Sequence, residues 1–243
     1  MSRLLISAAT PESEPQGDGV RLGVIACSAL RLELENLLAD VPEVSRVIFL
    51  DATLHNEPQN MRQRLETEIR ALASEVDAIF LGYGFCRSLR DLEQAFGLPV
   101  ILPQFDDCIS LLLSPERYNE EIRREAGTWF IPPGYAMISA KMVIESLKLD
   151  RIVRYGKDPM AMARRLFSHY RRGLFIDTGA GERETLLAAA RQFCDDFNLS
   201  LETTTGDTRR LELWLAKARV AAAQAAKRRC AAASSSCHSD GAI

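Results

Sequence analysis

The sequence predicts an α/β protein, a single Rossmann-like domain with a mainly parallel sheet and flanking helices. Short apolar runs alternate with stretches of helical periodicity along most of the chain, the pattern of βαβ units. The first run, LGVIAC, is apolar almost throughout rather than alternating, as a strand covered on both faces must be. The 243 residues are 47% hydrophobic and 26% charged, ordinary globular proportions for one domain with tails.

Residues 1–20 are rich in Pro, Gly and Glu and read as a disordered tail. The α/β domain is expected over residues 21–219. Residues 220–243 form an Ala/Ser-rich tail, helical at first and then disordered. Within the domain the first strand is Leu22 to Cys27, followed by a helix with Leu30, Leu34, Leu37 and Leu38 on one face. Arg46 to Ala52 reads as the second strand. Pro58 to Ser74 is a polar amphipathic helix with Pro in its first turn. Asp77 to Leu81 is the third strand, broken by GYGFC. A short helix over Leu89 to Ala95 precedes a fourth strand, Val100 to Leu102.

Asp106 or Asp107 is placed to cap a helix beginning at Cys108. Thr128 to Ile131 is extended and runs into Pro132-Pro133-Gly134. Helices follow at about residues 136–147 and 159–170. Gly173 to Asp177 is a strand, residues 182–197 a helix, and Leu199 to Thr203 a strand. A last helix runs from Asp207 or Thr208 through Trp214.

The formal net charge of −3 and the absence of a basic stripe argue against a nucleic-acid partner. No apolar run reaches the length of a membrane span, and the start lacks a signal-peptide core, so a cytoplasmic protein is expected. Reduced cysteines in that compartment serve catalysis or metal binding more often than disulfides.

The chemistry-bearing residues cluster by topology. Cys27, His55, Cys86 and Cys108 each follow a predicted strand. In a parallel sheet the strand ends share one edge, and ligands bind there. Thiolate and imidazole are soft or borderline ligands, and together these four residues would complete a tetrahedral site for a metal ion, or hold an Fe–S cluster. Any one of the cysteines alone reads equally well as a small buried hydrophobe; their shared position is the signal. Around them, Gly82 and Gly84 permit positive φ or close approach of backbone to a ligand. Tyr83, Gly84, Arg87 and Asp106 are candidate cofactor contacts. Cys108, acidified at a helix N-terminus, with Asp107 beside it, is the candidate catalytic pair. GTWFIPPGY is suited to walling a pocket, and DTGAGE is a weak candidate anion seat. Cys194 reads as core, and Cys230, Cys237 and His238 as bystanders in the tail.

Taken in order, IACSAL, LHNEPQNM, GYGFC, DDCISLLLSPERY and GTWFIPPGY resemble domain-of-unknown-function family 1638, over about residues 21–215. The resemblance carries over to Cys27, His55, Asn56, Tyr83, Gly84, Cys86, Asp107 and Cys108. Two positions depart from it: Arg87 stands where the family usually has Gly, and Asp106 where it usually has His. Members of the family often lie near corrinoid-dependent methyltransferases. The resemblance therefore implies a role in methyl-transfer or corrinoid metabolism, with a corrinoid as possible cofactor and a corrinoid protein or methyltransferase as possible partner.

The leading expectation is a metal- or cluster-binding protein acting in, or accessory to, that metabolism. Two alternatives stand beside it. One is a small-molecule enzyme with Cys108 as thiolate nucleophile and Asp107 or His55 as base. The other is a non-catalytic adaptor or chaperone of a methyltransferase system.

Overall fold

The computed structural model describes residues 19–85 and 89–236. The α/β class and the parallel pairing are as expected. The strands are shared between two sheets, each with its own core.

The first sheet has the order β2-β1-β3-β4, all parallel. Strand β1 (Leu22–Cys27) is buried at every position, which accounts for its unbroken apolar run. Strand β2 (Val44–Leu50) lies on one side of it and β3 (Ala78–Gly82) on the other. The chain therefore reverses its direction of winding between β1 and β3, and a crevice forms outside the carboxyl ends of those two strands. The edge strand β4 (Val100–Ile101) is only two residues long. Helix α1 (Arg31–Leu38) and helix α2 (Pro58–Leu72) make the first two crossovers. Helix α2 buries Met61, Leu65, Ile69 and Leu72, the i, i+4 stripe of an amphipathic helix.

Two helices, α3 (Cys108–Leu113) and α4 (Pro115–Arg124), lead to the second sheet. Its order is β5-β6-β7, again parallel, from β5 (Thr128–Ile131), β6 (Arg172–Asp177) and β7 (Ser200–Thr205). Between β5 and β6 come α5 (Pro133–Ala136), α6 (Ala140–Ser146) and α7 (Pro159–Leu166). Helix α8 (Arg183–Phe197) covers this sheet, and Cys194 packs directly against Gly173 of β6, so it is a core residue as expected. Burial raises the Cys194 thiol to about 11.

The last helix is longer than predicted. Helix α9 runs Arg209–Ser236 and returns to the first sheet, burying Leu211, Leu215, Ala218, Ala222 and Ala226. Alanines four apart let it lie close to the sheet, and alanine's high helix propensity carries it through the stretch read as tail.

A buried carboxylate joins the two halves. Glu33 of α1 is fully enclosed, and its Oε1 accepts a 2.9 Å hydrogen bond from the Thr178 hydroxyl just beyond β6. Its Oε2 has no hydrogen-bond partner among the described residues. Burial raises the Glu33 carboxyl from 4.5 to about 7, because charge is disfavoured away from water. The helical spacing of leucines in α1 gave no sign that this glutamate faces inward.

Candidate metal centre

Strand β1 ends at Cys27, and a 3₁₀ turn over Ser28–Leu30 redirects the chain into α1. Strand β2 ends in a second 3₁₀ turn, Ala52–Asn56, capped by Asp51, whose carboxylate accepts from the Thr53 amide at 2.7 Å. The two turns are tied together: the Ala52 amide donates to Ser28 Oγ at 3.0 Å. That tether carries His55 over the end of β1. The His55 Nδ1 lies 3.0 Å from the Ala52 carbonyl, a contact that orients the ring.

The third residue arrives from α3. Asp107 caps this helix reciprocally with Ser110, its Oδ1 accepting from the Ser110 amide at 2.8 Å. Cys108 is therefore the first helical residue, and its Sγ accepts a 3.4 Å hydrogen bond from the Gly84 amide after β3. Gly84 sits so close to the Asp107 backbone that a Cβ there would overlap it. Gly82 is likewise crowded by Ala26. Neither glycine has a positive φ. Their lack of a side chain serves chain-to-chain packing beneath the site rather than the left-handed turn or ligand approach expected.

Cys27, His55 and Cys108 thus bring one ligand atom each to within 4.8 Å of one another, a group that can hold a metal ion. Both cysteines are buried and His55 is exposed. Two thiolates and an imidazole are a soft-to-borderline donor set suited to zinc and its neighbours. These three described residues would fill three positions of a tetrahedral site.

The electrostatics favour a cation here. The Cys108 thiol is pushed well up by its hydrogen bond with Cys27 and by burial, while the His55 side chain pulls it down. The helix N-terminus does not prevail, so the standing thiolate expected of Cys108 is not what this environment supports by itself. Two adjacent buried thiols cannot both ionise without a compensating positive charge, and a divalent ion bound by both would neutralise the pair. Tyr83 packs beside them, its ring centroid 6.3 Å from that of His55, and its phenol is raised by burial and by both thiols.

The remaining expected residues fall in different places. Asp107 is occupied as the α3 cap, and its side chain also accepts from the Tyr118 hydroxyl, which raises that phenol after burial has done so. Asp106 is exposed. Cys86 and Arg87 lie outside the described residues, as do Cys237 and His238. Cys230 is exposed on α9. The DTGAGE loop is not open to an outside anion in this structure: Glu182 places its own carboxylate at the N-terminus of α8, accepting from the Glu184 and Thr185 amides. Asp177 pairs with Arg183 at 2.7 Å.

The stretch GTWFIPPGY does wall a cavity. Gly134 lies against the carbonyls of Ser28 and Ala29, a contact that a side chain would block. This seats Tyr135 near Cys27 and Cys108, and burial with those thiols raises its phenol. A cavity of about 450 Å³ opens beside His55, walled by Ala52, Thr53 and Ile109 from the first half and by Trp129, Phe130 and Tyr135 from the second. Tyr118, which also lines it, was not singled out in the sequence; it comes from α4 and packs on Phe130 of β5, ring centroids 5.1 Å apart.

Among the described residues no helix is long and apolar enough to cross a membrane. No curated protein matches the chain. Residues 49–215 match the family model described as "Protein of unknown function (DUF1638)", a span that includes His55, Cys108 and the Trp129–Tyr135 wall and begins after Cys27. With well over half of its length matched, the chain belongs to the DUF1638 family.

Proposed function

We propose that this protein binds a soft or borderline divalent transition metal, zinc being the best fit, through Cys27, His55 and Cys108. The observation that carries the reading is the approach of two buried sulfurs and an imidazole nitrogen to within 4.8 Å. It is supported by the surroundings of each ligand: the Gly84 amide on Cys108, the Ala52 carbonyl on His55, and the Ser28–Ala52 tether between the two turns. When bound, the metal would supply a Lewis-acidic position beside the cavity. The chain's own part is to hold the ligand set, to bury the sulfurs from water and to shape the access route past His55.

The finer reading is that this centre serves methyl-group or corrinoid metabolism, either directly or beside a methyltransferase. Its support is what the motif resemblance implies for the family, together with the affinity of zinc thiolate centres for sulfur donors.

Total metal analysis of anaerobically purified protein tests the reading. The expected result is a stoichiometric transition metal that is lost in Cys27→Ser and in Cys108→Ser. Metal-free protein with intact, titratable thiols that also fails to take up added zinc would overturn it.

A further inference from the structure

The cavity beside His55 has walls that restrict what it can hold. Among the described residues that line it there is no lysine, arginine, aspartate or glutamate. An ionic group placed against these walls, away from the proposed metal, would leave water without a countercharge, a cost that a neutral group escapes. Three of the hydroxyl groups in its walls have their protons committed elsewhere. Thr53 donates to Asp51 at 2.7 Å, Thr128 to the Glu125 carbonyl at 2.6 Å, and Ser146 to the Val143 carbonyl at 2.9 Å. Tyr118, Tyr135 and Tyr170 bring phenol hydroxyls to the lining as well. Beyond these phenols, a sugar or another ligand rich in hydroxyls would find few donors to replace water.

What the walls offer instead is aromatic surface. Trp129 packs with Phe167, Tyr170 and Phe193, ring centroids 4.9, 5.1 and 5.0 Å away, and all four line the cavity. These rings belong to the core of the second sheet and hold one another in place. His55 and Tyr135, by contrast, lie close to the two thiols. The cavity thus joins an aromatic wall to a wall bearing the imidazole. Its volume of about 450 Å³ suits a small molecule.

We propose that this cavity binds an uncharged small molecule built on an aromatic ring, with a single heteroatom directed to the His55 side. This deepens the metal-site reading and rests on it only for what the heteroatom meets; the ring's place against Trp129 does not. A thiol or thioether sulfur is the class of heteroatom suited to a zinc thiolate centre.

The chain has two tryptophans, so Trp214→Phe leaves Trp129 as the sole reporter. That variant, as full-length protein, is titrated with benzyl mercaptan and with benzoate, metal-free and loaded with cobalt(II). The expected result is a saturable change in Trp129 emission with benzyl mercaptan, at least about tenfold weaker with benzoate. In the cobalt form the thiolate charge-transfer absorption should shift over the same concentration range. Adding Ile138→Phe, which fills the cavity, should abolish the emission change while the far-UV circular dichroism is retained. An emission change without any cobalt spectrum would keep the cavity assignment and overturn the metal reading. No saturable emission change, or an equal response to benzoate, would overturn the cavity assignment whatever the cobalt spectrum does.

Discussion

The Gly84 amide donates to the Cys108 sulfur across 3.4 Å, binding the end of β3 to the first turn of α3. The contact exists because residue 84 has no side chain: a Cβ would overlap the Asp107 backbone. Gly84→Ala must therefore push α3 away from the sheet. We expect a loss of ~3 kcal/mol in urea unfolding, from overpacking and the separated hydrogen bond, together with weaker metal retention. An alanine variant with wild-type stability and metal content would contradict this account of the glycine.

His55 offers the cleanest test of ligation, because it is exposed and its removal leaves the core intact. His55→Ala should fold normally and bind zinc at least about a hundredfold more weakly, as measured by competition with a chromophoric chelator. Adding a strong chelator to the wild type should lower its thermal midpoint, since a ligand bound only by the folded state stabilises it by mass action. In His55→Ala the chelator should have little effect.

Ser28 is not itself a proposed ligand, yet its hydroxyl accepts from the Ala52 amide at 3.0 Å and so ties the turn that carries His55 to the turn after Cys27. Ser28→Ala should cost ~1 kcal/mol of stability and weaken metal binding about tenfold. Ser28→Thr keeps the hydroxyl and should recover much of the affinity. Equal losses in both variants would mean that the side chain's volume, rather than its hydrogen bond, is what counts.

Glu33 gives the fold a pH dependence of known sign. Its carboxyl titrates at about 7 in the folded chain against 4.5 when unfolded. Between those values the folded state holds a proton that the unfolded state has released. Stability therefore falls as pH rises through this window and levels off above it, a total of ~3 kcal/mol. Glu33→Gln removes the titration, so the variant's advantage over wild type should grow from about pH 5 to about pH 8 in urea midpoints. A constant difference across that range would show that Glu33 is not shielded from water.

Much of this architecture was legible along the chain. The apolar run of β1, the amphipathic helix α2 and an aspartate cap just before Cys108 are local patterns, formed by residues within a few positions of one another, and they appear where the sequence placed them, Asp107 rather than Asp106 being the cap. GTWFIPPGY read equally well as a pocket wall and as a packed loop, and the placement of Trp129, Phe130 and Tyr135 along the cavity decides between them. The full helical extent of α9 was less legible, because alanine-rich sequence reads both as helix and as simple tail, and burial of Ala218, Ala222 and Ala226 decides between them.

The sequence by itself determined that this is an α/β chain and that Cys27, His55 and Cys108 stand at the ends of its strands. Only the tertiary structure decided that these three meet, that the strands divide into two sheets with a cavity at His55, and that Glu33 turns inward to Thr178. The reason is physical. Strand and helix follow from the periodicity of neighbouring residues, whereas the meeting of residues far apart in the chain depends on strand order and on close backbone contacts such as Gly84 on Asp107, which no short stretch of sequence contains.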